Sequence, residues 1–274
     1  MTALQAIILG IIQGLTEFLP ISSSGHLVII PYILGWEIPA EDVFVFDVLV
    51  QVATLIAVFA YFWGDIKEIC RDMILSIYHR TYLGTHQARL GWHIILSTLP
   101  AGFIGLLLKD YVERAFLNPT LVSFFLFLTA GLLIIAEAIG ARDRNLQQMD
   151  WKDAVWIGFF QAAAIFPGIS RSGAAITGGM IRNLKRTSAA RYSFLISIPI
   201  MLAAGFSAIY DLVRLPNLGD LLPVYIPGFI VSALVGYLTI KWLLDYLSTH
   251  SFYIFAVYCA ALGILILGYS FFQN

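Results

Sequence analysis

Residues 158–173 read GFFQAAAIFPGISRSG, and the last seven, PGISRSG (167–173), set a permanent cation, Arg171, between two serines inside a strongly apolar stretch. An ionisable group at membrane depth is expensive and is kept for a task, with a partner to be named. Proline, glycine and serine at that depth leave backbone polar groups unpaired, which a bilayer tolerates only where protein or a wet cavity surrounds them. The apolar arms on either side of the break, within 154–182, run to about 10–18 residues, short of the roughly 20 that a span needs. The stretch therefore reads as a re-entrant hairpin: a short helix, an irregular tip and a second short helix.

The rest of the chain fits a membrane protein. Of 274 residues, 59% are hydrophobic and 12% charged, with a mean hydropathy of +0.84; soluble domains carry about 25% charged residues. The net charge of −1 is uninformative about partners, because the placement of the charges carries the information. Cys70 and Cys259 read as isolated thiols, and MTALQAIILG as part of the mature protein and not a cleaved leader. Six stretches are long enough to span, roughly 43–63, 91–108, 119–140, 190–213, 222–246 and 252–271. Residues 2–35 are broken by EFLPISSSGH and read as a second hairpin.

The two hairpins are related. GIIQGLTEFLPISSSG (10–25) lies on GFFQAAAIFPGISRSG (158–173) without a gap at an offset of 148 (158 − 10), with identity at seven of sixteen positions. Such repeats are the first organisation to look for. Basic residues orient the chain: Lys67, Arg71, Arg80, Arg89, Arg142, Arg144, Lys152, Arg182, Lys185, Arg186 and Arg191 can share the cytoplasmic side, leaving Lys109, Arg114 and Arg214 opposite. Each half then holds one hairpin and three spans, so the halves have opposite topology and the tips meet near the midplane. The expected fold is an all-α polytopic membrane protein, one domain over 1–274. Its repeats cover about 1–147 and 148–274, and both termini lie outside the bacterial cytoplasmic membrane.

The tips bring Ser22, Ser23, Ser24, Gly25 and His26 to Ser170, Arg171, Ser172 and Gly173. In each, serines precede an apolar arm at the position of a helix N-cap, so free amides and the positive helix end face one point, an anion site. Two such ends and an arginine fork suit a phosphate. Gln13 and Glu17, one turn apart, share a face, and a carboxylate and an imidazole beside a phosphate supply a base and an acid. Blander roles remain open for each: a snorkelling Arg171, a Glu17 bonded to hairpin amides, a helix-capping His26, and serines that only satisfy backbone. Asp47 and Gln51, one turn apart in the next span, either support the site or only pair with it.

QGLTEFLPISSSGH and PGISRSGAAITGG resemble the two signature motifs of the undecaprenyl-diphosphatase, or bacitracin-resistance, family. The first resembles its (Glu/Gln)-x-x-x-Glu segment and Ser-Ser-(Ser/Thr)-Gly-His, the second its Pro-Gly-x-Ser-Arg-Ser, and the likeness extends over essentially the whole chain. The resemblance implies removal of the terminal phosphate from undecaprenyl diphosphate, which recycles the carrier lipid for cell-wall synthesis and confers bacitracin resistance. It implies Glu17, His26 and Arg171 as catalytic and Ser23 as nucleophile. Gln13, Ser22, Ser24, Gly25, Ser170, Ser172, Gly173 and Thr177 are the expected substrate contacts. Position 13 is Gln where many members have Glu, and the threonine after Ser-Arg-Ser is Ala175 here, with Thr177 two residues on.

Two routes stay open: attack by Ser23 with His26 or Glu17 as base, or by water with Glu17 as base. Mg²⁺ or Ca²⁺ is the expected cation, although one glutamate and one histidine make no cage, and no organic cofactor is expected. The partners are the polyprenyl diphosphate and membrane lipids, with a homodimer as an allowed assembly and no nucleic acid. A transporter is the rival reading, because inverted repeats with broken helices are transporter architecture. A purely structural protein would leave Arg171, Glu17 and His26 unexplained.

Overall fold

Four short helices decide the architecture. Thr2 caps α1 (Ala3–Thr16) in a box with Gln5, and α2 (Ser23–Leu34) closes on Gly35 in the left-handed region. Asp150 caps α8 (Trp151–Ala163) in a box with Asp153, and Ser170 caps α9 (Arg171–Ile181). With 14, 12, 13 and 11 residues and a rise of 1.5 Å per residue, none exceeds about 21 Å, short of the ~30 Å hydrocarbon layer. Both expected hairpins are therefore present as pairs of half-length helices.

The computed structural model describes residues 1–116, 118–213 and 218–273, and their side chains except those of 40–44, 109, 113, 207–213, 218, 220 and 273. Arg214 and the Lys109 side chain, assigned above to the outer face, lie outside the described residues. Between the hairpins run α3 (Ala40–Tyr61), α4 (Trp63–Tyr78), α5 (His86–Leu107), α6 (Lys109–Phe116) and α7 (Pro119–Ala138). After the second hairpin come α10 (Arg186–Val213), α11 (Leu218–Tyr246) and α12 (Tyr253–Gln273). Among the described residues the elements are helices and no strand is formed, and α5, α7, α10, α11 and α12 are each long and apolar enough to cross a membrane. A sixth candidate joins α3 to α4 through a bend of 81°. The chain is a multi-pass membrane protein, and outward side chains such as Leu106 and Phe206, 81% and 79% exposed, are what a lipid-facing surface requires.

Two helices were not anticipated. Residues 64–90 fall between the first two expected spans, yet α4 occupies much of that segment, burying Ile69, and α6 follows α5 with one residue between.

Packing is reciprocal between the halves. α1 lies on α11 and α8 on α5, while α3 meets α10 and α7 meets α12; exchanging the halves maps each pairing onto its counterpart or itself. Small residues let α1 approach α11 and α8 approach α5. A Cβ on Gly14 would come within 2.8 Å of the Ser232 carbonyl oxygen, and one on Gly158 within 2.6 Å of that of Ser97.

Arginine–carboxylate clusters tie one end of the bundle. Glu137 of α7, its side chain 1% exposed, accepts from Arg142 at 2.7 Å, from Arg186 Nε at 2.8 Å and from the Phe252 amide at 2.8 Å. This joins the end of α7 to the starts of α10 and α12. Asp153 accepts from Arg144 and Arg182, both at 2.6 Å, joining α8 to the end of α9. Hydrogen bonding to that carboxylate holds the Arg144 guanidinium above its ordinary value. Arg191 of α10 reaches Asp65 of α4 at 3.0 Å. Five arginines assigned to one side by charge placement therefore do gather at one end, which also fixes how α9 returns.

Candidate active site

The first tip turns on one residue. α1 stops at Thr16, with Glu17 at its C-cap, and the chain crosses Phe18–Ile21 to Ser22, whose φ of 71° and ψ of 98° lie outside the regions an L-residue prefers. Such a residue costs on the order of 1–3 kcal/mol and persists only where its surroundings hold it. Ser22 Oγ accepts from its own cap partner, the Gly25 amide, at 3.3 Å, and from the Gly168 amide of the other hairpin at 3.1 Å. Ser170 repeats the cap, accepting from Gly173 N at 3.0 Å. Its amide donates to Thr129 Oγ1 at 3.0 Å, and that hydroxyl donates to the Gly168 carbonyl at 2.8 Å.

The tips also interlock by shape. A Cβ on Gly25 would lie 3.2 Å from Gly168 Cα, and one on Gly173 3.3 Å from Pro20 Cβ. Pro20 and Gly168 are equivalent positions (168 − 20 = 148), so each glycine seats on the other repeat's matching residue.

Where the repeat is broken, the chemistry gathers. Ser23 and Arg171 are equivalent positions, and Glu17 stands opposite Ile165. Glu17 Oε2 accepts from Ser23 Oγ at 2.6 Å and from Gln13 Nε2 at 3.0 Å, while Oε1 accepts from Arg171 Nη2. The Glu17 side chain is 5% exposed and that of Arg171 24%, so the guanidinium keeps a face toward a cavity of about 130 Å³. Ser22, Ser23, Ser24, Ser170 and Glu17 line this cavity with it, as do Gln51, Phe116 and Ile165. The first-turn amides of α2 and α9, which no intrahelical carbonyl can satisfy, start at the same place. A hydroxyl bonded to a carboxylate, beside a guanidinium and two helix N-termini, can lose its proton while phosphate oxygens are held.

Other expected contacts lie elsewhere. His26 does not line the cavity: its Nδ1 lies 2.7 Å from the Ser22 carbonyl oxygen and its Nε2 2.8 Å from the Tyr258 hydroxyl. Both ring nitrogens are thereby engaged, while Glu17 is the group bonded to Ser23. Thr177 bonds back to Gly173 O at 2.7 Å, within its own helix. Ser172 donates to Leu19 O at 3.3 Å, while Gly25 and Gly173 serve the caps. Gln13 is buried behind Glu17, with Oε1 unpaired. Thr129, the clamp on the second tip, was missed; a hydroxyl in FLFLTAG reads as ordinary helix back-bonding until the tip is placed against it. Gln51 lines the cavity, and Phe116 could not be foreseen without α6.

The fold and this site define an α-helical membrane protein whose polar centre lies where two re-entrant hairpins meet. The family model described as "Bacitracin resistance protein BacA" matches residues 6–265, and the chain belongs to that family. It is 43% identical to an undecaprenyl-diphosphatase of Chloroherpeton thalassium, over 97% of this chain and 96% of that protein. It is 41% identical to one of Methanosphaera stadtmanae, over 96% of each, and 40% identical to one of Myxococcus xanthus, over 97% and 89%.

Proposed function

We propose that this protein hydrolyses undecaprenyl diphosphate to undecaprenyl phosphate and inorganic phosphate, which returns the carrier to cell-wall synthesis and confers bacitracin resistance. The observation that carries the reading is Glu17, bonded at once to the Ser23 hydroxyl and to Arg171. Transport of a lipid phosphate would need the guanidinium and the amides; it gives no use to a serine held against a carboxylate.

Glu17 takes the Ser23 proton as Ser23 Oγ attacks the terminal phosphorus. The bond from that phosphorus to the bridging oxygen breaks, and undecaprenyl phosphate leaves with the electron pair. Arg171 and the first-turn amides of α2 and α9 carry the charge on the transferring group. Glu17 passes that proton to the departing phosphate, then takes one from the water that attacks the phosphoserine and returns it to Ser23 Oγ as the phosphorus–Oγ bond breaks and inorganic phosphate forms.

Hard oxygen donors fit Mg²⁺ or Ca²⁺: the Glu17 carboxylate, which lines the cavity, would hold it together with diphosphate oxygens. Among the described residues no three His, Cys, Asp or Glu side chains form a cage, so much of the coordination would come from substrate and water. When bound, the cation would offset the diphosphate charge.

We place the protein in the bacterial cytoplasmic membrane with the arginine-rich end inside, which puts both termini outside. Phe116, at the opposite end of α7 from Glu137, lines the cavity, which supports entry of the headgroup from the outer side. The test is phosphate release by purified protein in micelles, with Arg171→Ala as control. One phosphate per lipid supports the reading; lipid bound without release, at any cation concentration, would make the protein a carrier.

A further inference from the structure

His26, 3% exposed, and Tyr258, 43% exposed, form a pair for which the chemistry above has no use. The Ser22 carbonyl can only accept, so His26 Nδ1, 2.7 Å away, carries the ring proton. The neutral ring then offers Nε2 as an acceptor, and the Tyr258 hydroxyl at 2.8 Å donates to it. The two rings lie parallel to within 6°, centroids 5.7 Å apart. The Ser22 carbonyl thus sets the tautomer, and Tyr258 on α12 anchors the far side of the ring.

What the imidazole grips is the strained residue. The Ser22 carbonyl receives His26 Nδ1 at 2.7 Å and the His26 amide at 3.2 Å, and Ser22 keeps its φ of 71°. The next residue is Ser23, whose Oγ meets Glu17 at 2.6 Å. Contacts run without a gap from Tyr258 through His26 and Ser22 to the reacting hydroxyl.

We propose that Tyr258 is a positioning residue: acting through His26, it holds Ser22 in its left-handed conformation and so aims the Ser23 hydroxyl at Glu17 and the phosphate. This rests on the hydrolytic reading above. Tyr258 touches no reacting atom; its hydroxyl anchors His26 Nε2 and so keeps Nδ1 turned to the Ser22 carbonyl.

The experiment combines steady-state phosphate release from undecaprenyl diphosphate in micelles with ¹⁵N spectra of histidine-labelled protein. The variants are Tyr258→Phe, His26→Ala and the double. Misaim of a reacting hydroxyl reads out in turnover, so Tyr258→Phe should lower kcat about tenfold with KM held within about twofold. Its thermal midpoint should stay close to wild type, and in the His26→Ala background it should cost less than about twofold more. The wild-type spectrum should show His26 as a single Nδ1–H tautomer, and Tyr258→Phe should shift its Nε2 resonance as that hydrogen bond is lost. Normal kcat in Tyr258→Phe, independent losses that multiply in the double variant, or a wild-type ring protonated at Nε2 would each overturn the proposal. If wild-type protein releases no phosphate, the hydrolytic reading fails by itself, and the tautomer spectra still decide whether Tyr258 governs His26.

Discussion

Ser23 and Arg171 hold equivalent positions in the two halves of the chain and bond to opposite oxygens of one carboxylate, Ser23 to Oε2 and Arg171 to Oε1 of Glu17. The flanking residues of the two tips still match: Ser22 with Ser170 as caps, Ser24 with Ser172 beside them, Gly25 with Gly173 as seats. The repeat supplies the frame, and the one unlike pair between the matched serines supplies a hydroxyl and a cation.

Arg171 should not be replaceable by lysine. A guanidinium can keep one N–H on Glu17 while others face phosphate, whereas an ammonium offers a point charge. Arg171→Lys should lower phosphate release by roughly 10²-fold, the scale of one lost charge-stabilising donor. Arg171→Ala should lower it further and destabilise the tips, because Glu17 would stay buried without its partner. Phosphate-release kinetics beside thermal unfolding separate the two effects, and near-normal turnover in Arg171→Ala would mean that the phosphate is held elsewhere.

Glu17→Gln tests the base. An amide keeps the shape and a bond from Ser23 but takes up no proton, so kcat should fall by about 10²–10⁴-fold, the usual range for a lost general base. Substrate binding should persist, which a pull-down of labelled lipid in micelles can show. Retained turnover would transfer the proton to a group outside this cavity.

Glu137→Gln should spare the chemistry and weaken the fold. The side chain is 1% exposed and accepts from Arg142, Arg186 and the Phe252 amide. Breaking a buried pair from one side costs about 3–5 kcal/mol, so unfolding should come earlier in heat or denaturant, with phosphate release per folded molecule unchanged. A wild-type midpoint would show that the arginines find other partners.

Both hairpins were legible because Pro, Gly and Ser interrupt apolar runs where a bilayer leaves little choice, and Ser23 and Arg171 because they are the unlike pair between matched serines. His26 was not. Nothing in the order of residues tells that an imidazole will turn back to a carbonyl four positions earlier and accept from a tyrosine 232 residues away. α4 was hidden differently. Asp65, Lys67, Glu68, Arg71 and Asp72 make the segment look like a polar connection, while Ile66, Ile69 and Met73, at helical spacing, carry the face that packs on the bundle. Thr129 and Phe116 became functional neighbours only once α7 and α6 had places relative to the tips.

Ser22 and Ser23 should separate structure from chemistry. Ser22 Oγ accepts from two amides, Gly25 of its own helix and Gly168 of the opposite hairpin, and stands in a strained backbone. Ser22→Ala removes an N-cap, costing about 1 kcal/mol, and leaves the Gly168 amide buried and unpaired, costing about 1–3 kcal/mol more. It should unfold earlier and lose turnover in part. Ser23 Oγ bonds only to Glu17 among the described contacts, so Ser23→Ala should keep the wild-type midpoint while phosphate release falls to background. Ser24, whose hydroxyl lies 3.4 Å from that of Ser22, should show a mild loss of both. Rapid quench with lipid labelled in its terminal phosphate should trap a serine ester in wild-type protein and none in Ser23→Ala. Substantial turnover in Ser23→Ala would end the covalent route, and water activated directly by Glu17 would take its place.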